Sequence, residues 1–386
     1  MTHPRHFIKS YVHTKFNQCF STISSSPPWT YTCDDSLRKC VKTFLDPLEP
    51  YNRSEVVGLG QCLMFCSPGS TLFPAPTGVV NLGNTSLNFL PGDVKMLVDR
   101  RTPNSVRDPV RELRPVLREL FFAAHPDYDF AQRNPFVGTK SGARITIKLC
   151  VKESTAYNHA TSDLDEDESY EIEITPMEDD FAVGSGSANR AGAGDLGVGN
   201  ATASEHFHRV SVLVDISANS FLGLRNGVET FSQLVSYDEI TETLLMYESA
   251  LVTDRPAVSY RALAIETAST YLSIGTLTDL LDAMSYAKLN VLQWKIAGSE
   301  SFPFHGETAV DLATYGSLKL GEIYSAEDVV LLKDYAFLRG VRIVPEFDVY
   351  DAYSGWAQVD TDAVVKCDSC PSGRRRCGQV SFCTLK

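Results

Sequence analysis

Residues 257–347 constrain this chain most, because three apolar runs there alternate with two helical patterns. The runs are Tyr260–Glu266, Leu289–Ile296 and Val341–Phe347. Leu277, Leu280, Leu281 and Met284 form the first helix face, with Thr276 and Asp279 at capping-box spacing. Val329, Leu332 and Ala336 form the second, which Ser325 and Asp328 start and Arg339-Gly340 stop. Strand–helix–strand–helix–strand implies parallel βαβ units. No glycine follows the first strand at Glu266-Thr-Ala-Ser, so a dinucleotide fold fits less well than a (β/α)8 barrel.

Upstream the pattern is different. Ala143, Ile145, Ile147, Leu149 and Val151 alternate with polar residues, as do Tyr170, Ile172 and Ile174, and Val210, Val212, Val214 and Ile216. Period-two alternation predicts strands with one covered face, typical of antiparallel sheets. Leu113, Val116, Leu117 and Leu120, and then Val228, Phe231, Leu234 and Val235, supply helices to cover it. Residues 184–204 are rich in Gly, Ala, Ser and Asn and read as a flexible loop. The acidic run Asp163–Glu168 reads as a solvated hairpin edge, since it lacks the glycine and spacing of a calcium loop.

Ahead of this part, Cys33, Cys40, Cys62 and Cys66 lie in a segment too poor in apolar residues for its own core. Two disulfides suit the spacing, with three pairings open and the nested 33–66 and 40–62 favoured; a zinc site is the rival, without a His at ligand spacing. The expected organisation is a disordered leader over 1–28, a cysteine-tied unit over 29–70, an α+β domain over 71–250, a partial barrel over 257–356 and a Cys-rich tail over 357–386. In that tail Cys367, Cys370, Cys377 and Cys383 read as a frame-shifted or alternatively spliced end rather than a zinc knot.

Net charge is −13, and the basic triplet Arg374-Arg375-Arg376 reads as a solvated tail, so nucleic acid is not an expected partner. No run of about 18 apolar residues predicts a membrane span. Sequons at Asn52, Asn84 and Asn200 and ten cysteines fit a secreted protein, although residues 1–30 show no signal-peptide core. No metal or cofactor site is read from the sequence.

Tyr260-Arg261-Ala-Leu-Ala-Ile-Glu266-Thr267 resembles the segment that opens the catalytic barrel of family 20 glycoside hydrolases, the β-N-acetylhexosaminidases. Asp282–Trp294, Ser301-Phe-Pro, Ile323–Asp328 and Arg339–Asp348 are similar to later motifs of that barrel, in order, and Gly227–Gln233 to the motif before it. Trp29 with its following cysteines, and Leu72–Gly78, resemble the arthropod chitooligosaccharide-degrading members. The resemblance spans residues 29–348 and implies an α/β fold: an α+β N-terminal hexosaminidase domain, then the first three βα units of a TIM barrel. It implies removal of terminal β-linked N-acetylhexosamine, with an N-acetylhexosamine-terminated oligosaccharide as partner, a secreted or lysosomal location and scope for a homodimer. In such enzymes the substrate's own acetamide attacks the anomeric carbon, served by an adjacent Asp–Glu pair after the fourth strand.

Residue by residue, the resemblance assigns sugar hydroxyls to Arg261, and Asp348 and Trp356 join it as substrate-binding candidates. The family's second strand ends His-Trp-His-x-x-Asp; this chain reads Gln293-Trp294-Lys295-Ile-Ala-Gly298. A later His is replaced by Ala352, and the Asp-Glu dipeptides at 165–166, 167–168 and 238–239 all precede the barrel. Trp294 reads as core, with sugar stacking as the alternative, and Glu346 as a structural barrel residue. No catalytic residue is therefore assigned. The chain reads as a truncated or degenerate relative, with a non-catalytic glycan- or partner-binding protein as the alternative. Three strands cannot close a barrel, so residues 257–386 are expected to be loose beside a stable α+β domain.

Overall fold

A computed structural model of the chain describes residues 29–45, 56–125, 143–153, 166–177, 210–298, 301–306, 310–319 and 321–347. The leader, the loop at 184–204, the tail, Asn52, Asn200, Asp348 and Trp356 lie outside the described residues. Among the described residues no helix is long and apolar enough to cross a membrane.

Strands β1 (Trp29–Asp34) and β2 (Lys39–Phe44) pair as an antiparallel hairpin. Helix α1 (Leu59–Cys66) is tied to it by Cys33–Cys66 and Cys40–Cys62, with Cα–Cα separations of 5.3 and 6.0 Å. This is the nested pairing, and it engages all four sulfurs that the rival zinc site would need.

The α+β part runs β3 (Val80–Leu82), β4 (Ser86–Phe89), β5 (Val94–Val98), α2 (Asn104–Ala124), β6 (Arg144–Val151), β7 (Tyr170–Met177), β8 (Ser211–Ala218), α3 (Phe221–Gln233), β9 (Ser236–Asp238), β10 (Thr243–Tyr247) and β11 (Ala250–Asp254). Six strands form one sheet in the order β3-β11-β7-β8-β6-β5. It is mixed: β5, β6 and β8 run parallel, while β7, β11 and β3 pair antiparallel. Alternation reports one covered face; strand direction follows the connection, and α2 is a helical crossover between β5 and β6. Ile145, Ile147, Leu149, Ile172, Ile174, Val212, Val214 and Ile216 are at most 1% exposed and share a core with Leu113 and Leu117 of α2 and Val228 and Phe231 of α3. Each such side chain contributes roughly 1.5–3 kcal/mol on burial. On the opposite face of β6, Cys150 is 1% exposed and unpaired. Burial, and then the Asp99 charge, pushes its thiol pKa up.

Helix α3 positions everything that follows. Ser220 caps it by accepting the Gly223 N–H at 3.1 Å. An added Cβ at Gly223 would lie 2.6 Å from the Ser169 carbonyl oxygen, and one at Gly227 2.8 Å from Ile216. The helix therefore seats directly on the sheet. Twelve of its 13 residues are buried, which a helix covered on one face cannot achieve. Its second cover is the barrel segment: Phe221 stacks on Phe337 at 5.6 Å.

That segment comprises β12 (Ala262–Glu266), α4 (Ile274–Tyr286), β13 (Val291–Ala297), the short β14 (Phe304–His305), α5 (Val310–Gly316), β15 (Tyr324–Ser325), α6 (Ala326–Phe337) and β16 (Arg342–Phe347). Strands β12, β13 and β16 form a parallel sheet in that order, and it does not close among the described residues. Helix α6 starts at the Ser325–Asp328 capping box and stops at Gly340, whose φ is +70°. Helix α4 starts earlier than its pattern predicts, capped by Ser273 rather than Thr276, because Ile274 already packs against the core.

Candidate functional site

The parallel sheet has two unlike faces. Leu263, Ile265, Leu292, Trp294, Ile296 and Ile343 point to α4 and α6 and join Leu277, Leu281, Met284, Leu332 and Ala336 in one core. Alternate residues lie on the other side of the sheet. There Glu266, Lys295 and Glu346 stand in one cross-strand row at the carboxyl ends of β12, β13 and β16. Glu266 and Glu346 are exposed and Lys295 half-buried.

Local bonds fix this row. Glu266 accepts the Ser269 N–H at 2.9 Å and the Ser269 hydroxyl at 2.5 Å. Gln293 donates to Glu346 at 3.1 Å. Thr267 N–H donates to the Lys295 carbonyl at 2.9 Å, stitching β12 to β13 just beyond the row. Lys295 leans toward Gly298: a Cβ added there would lie 3.5 Å from its Cε and 3.9 Å from its Nζ. Phe347 closes one side against Phe302 and Phe304 at 6.0 and 5.5 Å. A carboxylate–ammonium–carboxylate row can accept and donate hydrogen bonds to a polyol.

Trp294 is fully buried on the helix side, donates to Thr267 Oγ1 at 2.9 Å and meets Tyr324 edge-on at 4.9 Å. Its core reading, not stacking, matches this place. Arg261 lies at the opposite end from the row. It precedes β12, roughly 16 Å from Glu266 at about 3.3 Å per residue, whereas barrel sites sit at the carboxyl ends. Its guanidinium is committed to the Glu168 carboxylate at 2.5 Å and to the carbonyls of Lys288, Val258 and Ser259 at 2.7, 2.6 and 3.3 Å. The row is out of its reach. Of the sequons, Asn84 is exposed.

The reading of the acidic run as solvated fails at its end. Glu168 is 7% exposed and takes, besides Arg261, Asn226 at 2.8 Å and Asn290 at 3.1 Å. The helix and strands that supply these donors are distant in sequence, and only the position just before Tyr170-x-Ile-x-Ile hints that Glu168 enters the fold. A second buried cluster lies nearby. Lys288 donates to Asp254 at 2.8 Å and to the Tyr170 hydroxyl at 2.7 Å. Burial raises the Asp254 pKa, but Lys288, the Thr77 N–H and Tyr170 outweigh it and hold the carboxyl below its ordinary value.

A family model described as the catalytic domain of glycosyl hydrolase family 20 matches residues 258–381, running past Asp348, where the motif resemblance ends, into the cysteine tail. The chain is 30% identical over 339 residues to the chitooligosaccharidolytic beta-N-acetylglucosaminidase of Bombyx mori, covering 87% of this chain and 48% of that protein. It is 38% identical over 154 residues to the beta-hexosaminidase subunit beta of Homo sapiens, covering 40% of this chain and 27% of that protein. The GH20 exo beta-N-acetylglucosaminidase of Vibrio harveyi, solved with N-acetylglucosamine, superposes with a TM-score of 0.51 at 16% identity over 90% of this chain and 46% of that one, a likeness of fold. The chain spans about half the length of the insect relatives it matches.

Proposed function

The chain belongs, through residues 258–381, to glycosyl hydrolase family 20, and from that premise we propose that its barrel mouth recognises terminal β-linked N-acetylhexosamine on an oligosaccharide while supplying little hydrolytic chemistry. The observation that carries this reading is the Glu266–Lys295–Glu346 row, placed at the carboxyl ends of the strands. The chemistry described by the names of the silkworm and human relatives agrees with the sugar class.

The low hydrolysis follows from what stands in the mouth. Substrate-assisted cleavage needs an acid and a carboxylate that orients the acetamide, and in the family a network of imidazoles and a carboxylate beside them sets the protonation of the acid. By the family's motif, Gln293 and Lys295 stand at two imidazole positions and Gly298 at a carboxylate position. An amide does not titrate, an ammonium stays charged at neutral pH, and glycine offers no acceptor. Acid–base assistance is worth about 10²–10⁴-fold. Non-catalytic glycan binding is the limiting form of this reading. The two disulfides and the exposed sequon at Asn84 support a secreted or lysosomal setting.

The test uses the 386-residue chain. We expect calorimetric binding of chitotetraose, and release of chromophore from an N-acetylglucosaminide no faster than an empty-vector control. Turnover at about 1–10³ per second overturns the low-hydrolysis half, and absence of binding heat overturns the recognition half.

A further inference from the structure

We propose that Glu168, supplied by the α+β domain, is a positioning residue for the mouth row, acting through the amino ends of the first two barrel strands. The inference deepens the sugar-recognition reading and rests on it for its functional readout.

The geometry is a pin across two strand starts. Arg261 immediately precedes β12, and Asn290 immediately precedes β13. One oxygen of Glu168 takes Arg261 Nη2 at 2.5 Å and Asn226 Nδ2 at 2.8 Å; the other takes Asn290 Nδ2 at 3.1 Å. The two strand starts also bind each other. Arg261 N–H donates to Asn290 Oδ1 at 2.9 Å, and Asn290 N–H donates to the Arg261 carbonyl at 2.9 Å. The third strand joins through Arg342 N–H to the Asn290 carbonyl at 2.8 Å. One buried carboxylate thus fastens Arg261 and Asn290 to α3, which is itself seated on the upstream sheet.

Register is what such a pin controls. Parallel strands have no tight turn to set their pairing, and a slip of one residue carries every side chain to the other face. A slip in β12 would replace Glu266 on the inner face by Ile265 or Thr267; a slip in β13 would replace Lys295 by Trp294 or Ile296. Either dismantles the row roughly 16 Å away. Lys288–Asp254 also joins the two parts through its side chains; its contact with a strand start is the Lys288 backbone carbonyl, which accepts Arg261 Nε at 2.7 Å and which Asp254→Asn leaves in place. It therefore serves as the control for docking without register.

The experiment compares the full chain with Glu168→Gln, Glu168→Ala and Asp254→Asn. Peptide-resolved hydrogen exchange reads residues 262–266 and 291–297 against 144–151 and 211–218, and chitotetraose affinity is measured by calorimetry. Glu168→Gln keeps an acceptor and removes the charge, so it stands in if the alanine variant does not fold. We expect exchange in β12 and β13 to rise about tenfold with the upstream sheet unchanged, and affinity to fall about tenfold, the weight of one charge-assisted hydrogen bond. Asp254→Asn should not lower affinity in the fraction that remains folded. Unchanged exchange in β12 and β13, a uniform rise across both sheets, or an equal affinity loss in Asp254→Asn overturns the proposal. If the unaltered chain gives no binding heat, the recognition reading fails, and the exchange comparison still decides the pin.

Discussion

Asp254→Asn should be among the costliest isosteric substitutions in this chain. The side chains of Asp254 and Lys288 are 6% and 4% exposed, 2.8 Å apart. The substitution keeps the volume, leaves the ammonium buried, and weakens bonds from the Thr77 N–H at 2.9 Å and the Tyr170 hydroxyl at 2.7 Å. Breaking one half of a buried pair costs about 3–5 kcal/mol. Lys288→Met strands the carboxylate and should cost a similar amount. The double variant Asp254→Leu/Lys288→Met strands no charge. It should lose only about 1–3 kcal/mol, for donors left without an acceptor. Urea unfolding followed by circular dichroism, arranged as a double-mutant cycle, measures all three. The pH dependence has a fixed sign. Asp254 has a depressed pKa, so its contribution is complete above the ordinary value of 3.8 and is lost as pH falls through the folded-state value. The penalty of Asp254→Asn should therefore be constant from pH 7 to 5 and shrink in stronger acid. Single variants costing under about 1 kcal/mol, or a double variant equal to their sum, would refute the reasoning.

Mass mapping of non-reduced peptides should find Cys33–Cys66 and Cys40–Cys62, which close loops of sequence separation 33 and 22, and loss of either bridge should cost about 3–4 kcal/mol. Phe231→Ala should cost about 3–5 kcal/mol in thermal unfolding, because Phe231 is fully buried and meets Phe121 edge-on at 5.7 Å. Limited proteolysis with mass spectrometry should leave residues 262–297 as resistant as 211–254, because α3 and the two buried ionic clusters hold both parts together; early cleavage confined to 262–297 would contradict this.

Much of the fold was legible in side-chain periodicity. Ile145, Ile147 and Leu149 announce a covered strand face, and Ser325, Asp328 and Gly340 mark both ends of α6. The direction of β5, β6 and β8 was not legible, because alternation is the same in parallel and antiparallel strands when one face is wet. The site was half legible. The motif placed Gln293, Lys295 and Gly298, and their positions around the mouth follow from strand phase. Arg261 was misread because a motif gives the order of residues but not which end of a strand they occupy. Glu168 was missed because a charge run in sequence resembles solvent-facing surface, whereas burial of one member depends on Asn226, Arg261 and Asn290 converging in space. The looseness expected after residue 257 overlooked the same contacts: three strands cannot close, yet they can dock.

Cys150 gives the upstream sheet a built-in clock. Its thiol sits on an interior strand at 1% exposure, and burial also disfavours the thiolate that reagents attack. A maleimide or disulfide reagent can reach it only when β6 parts from its neighbours. Peptide-resolved labelling of this one sulfur then times the opening of the α+β domain without an introduced cysteine, and a substitution that loosens only the barrel segment should leave that rate unchanged.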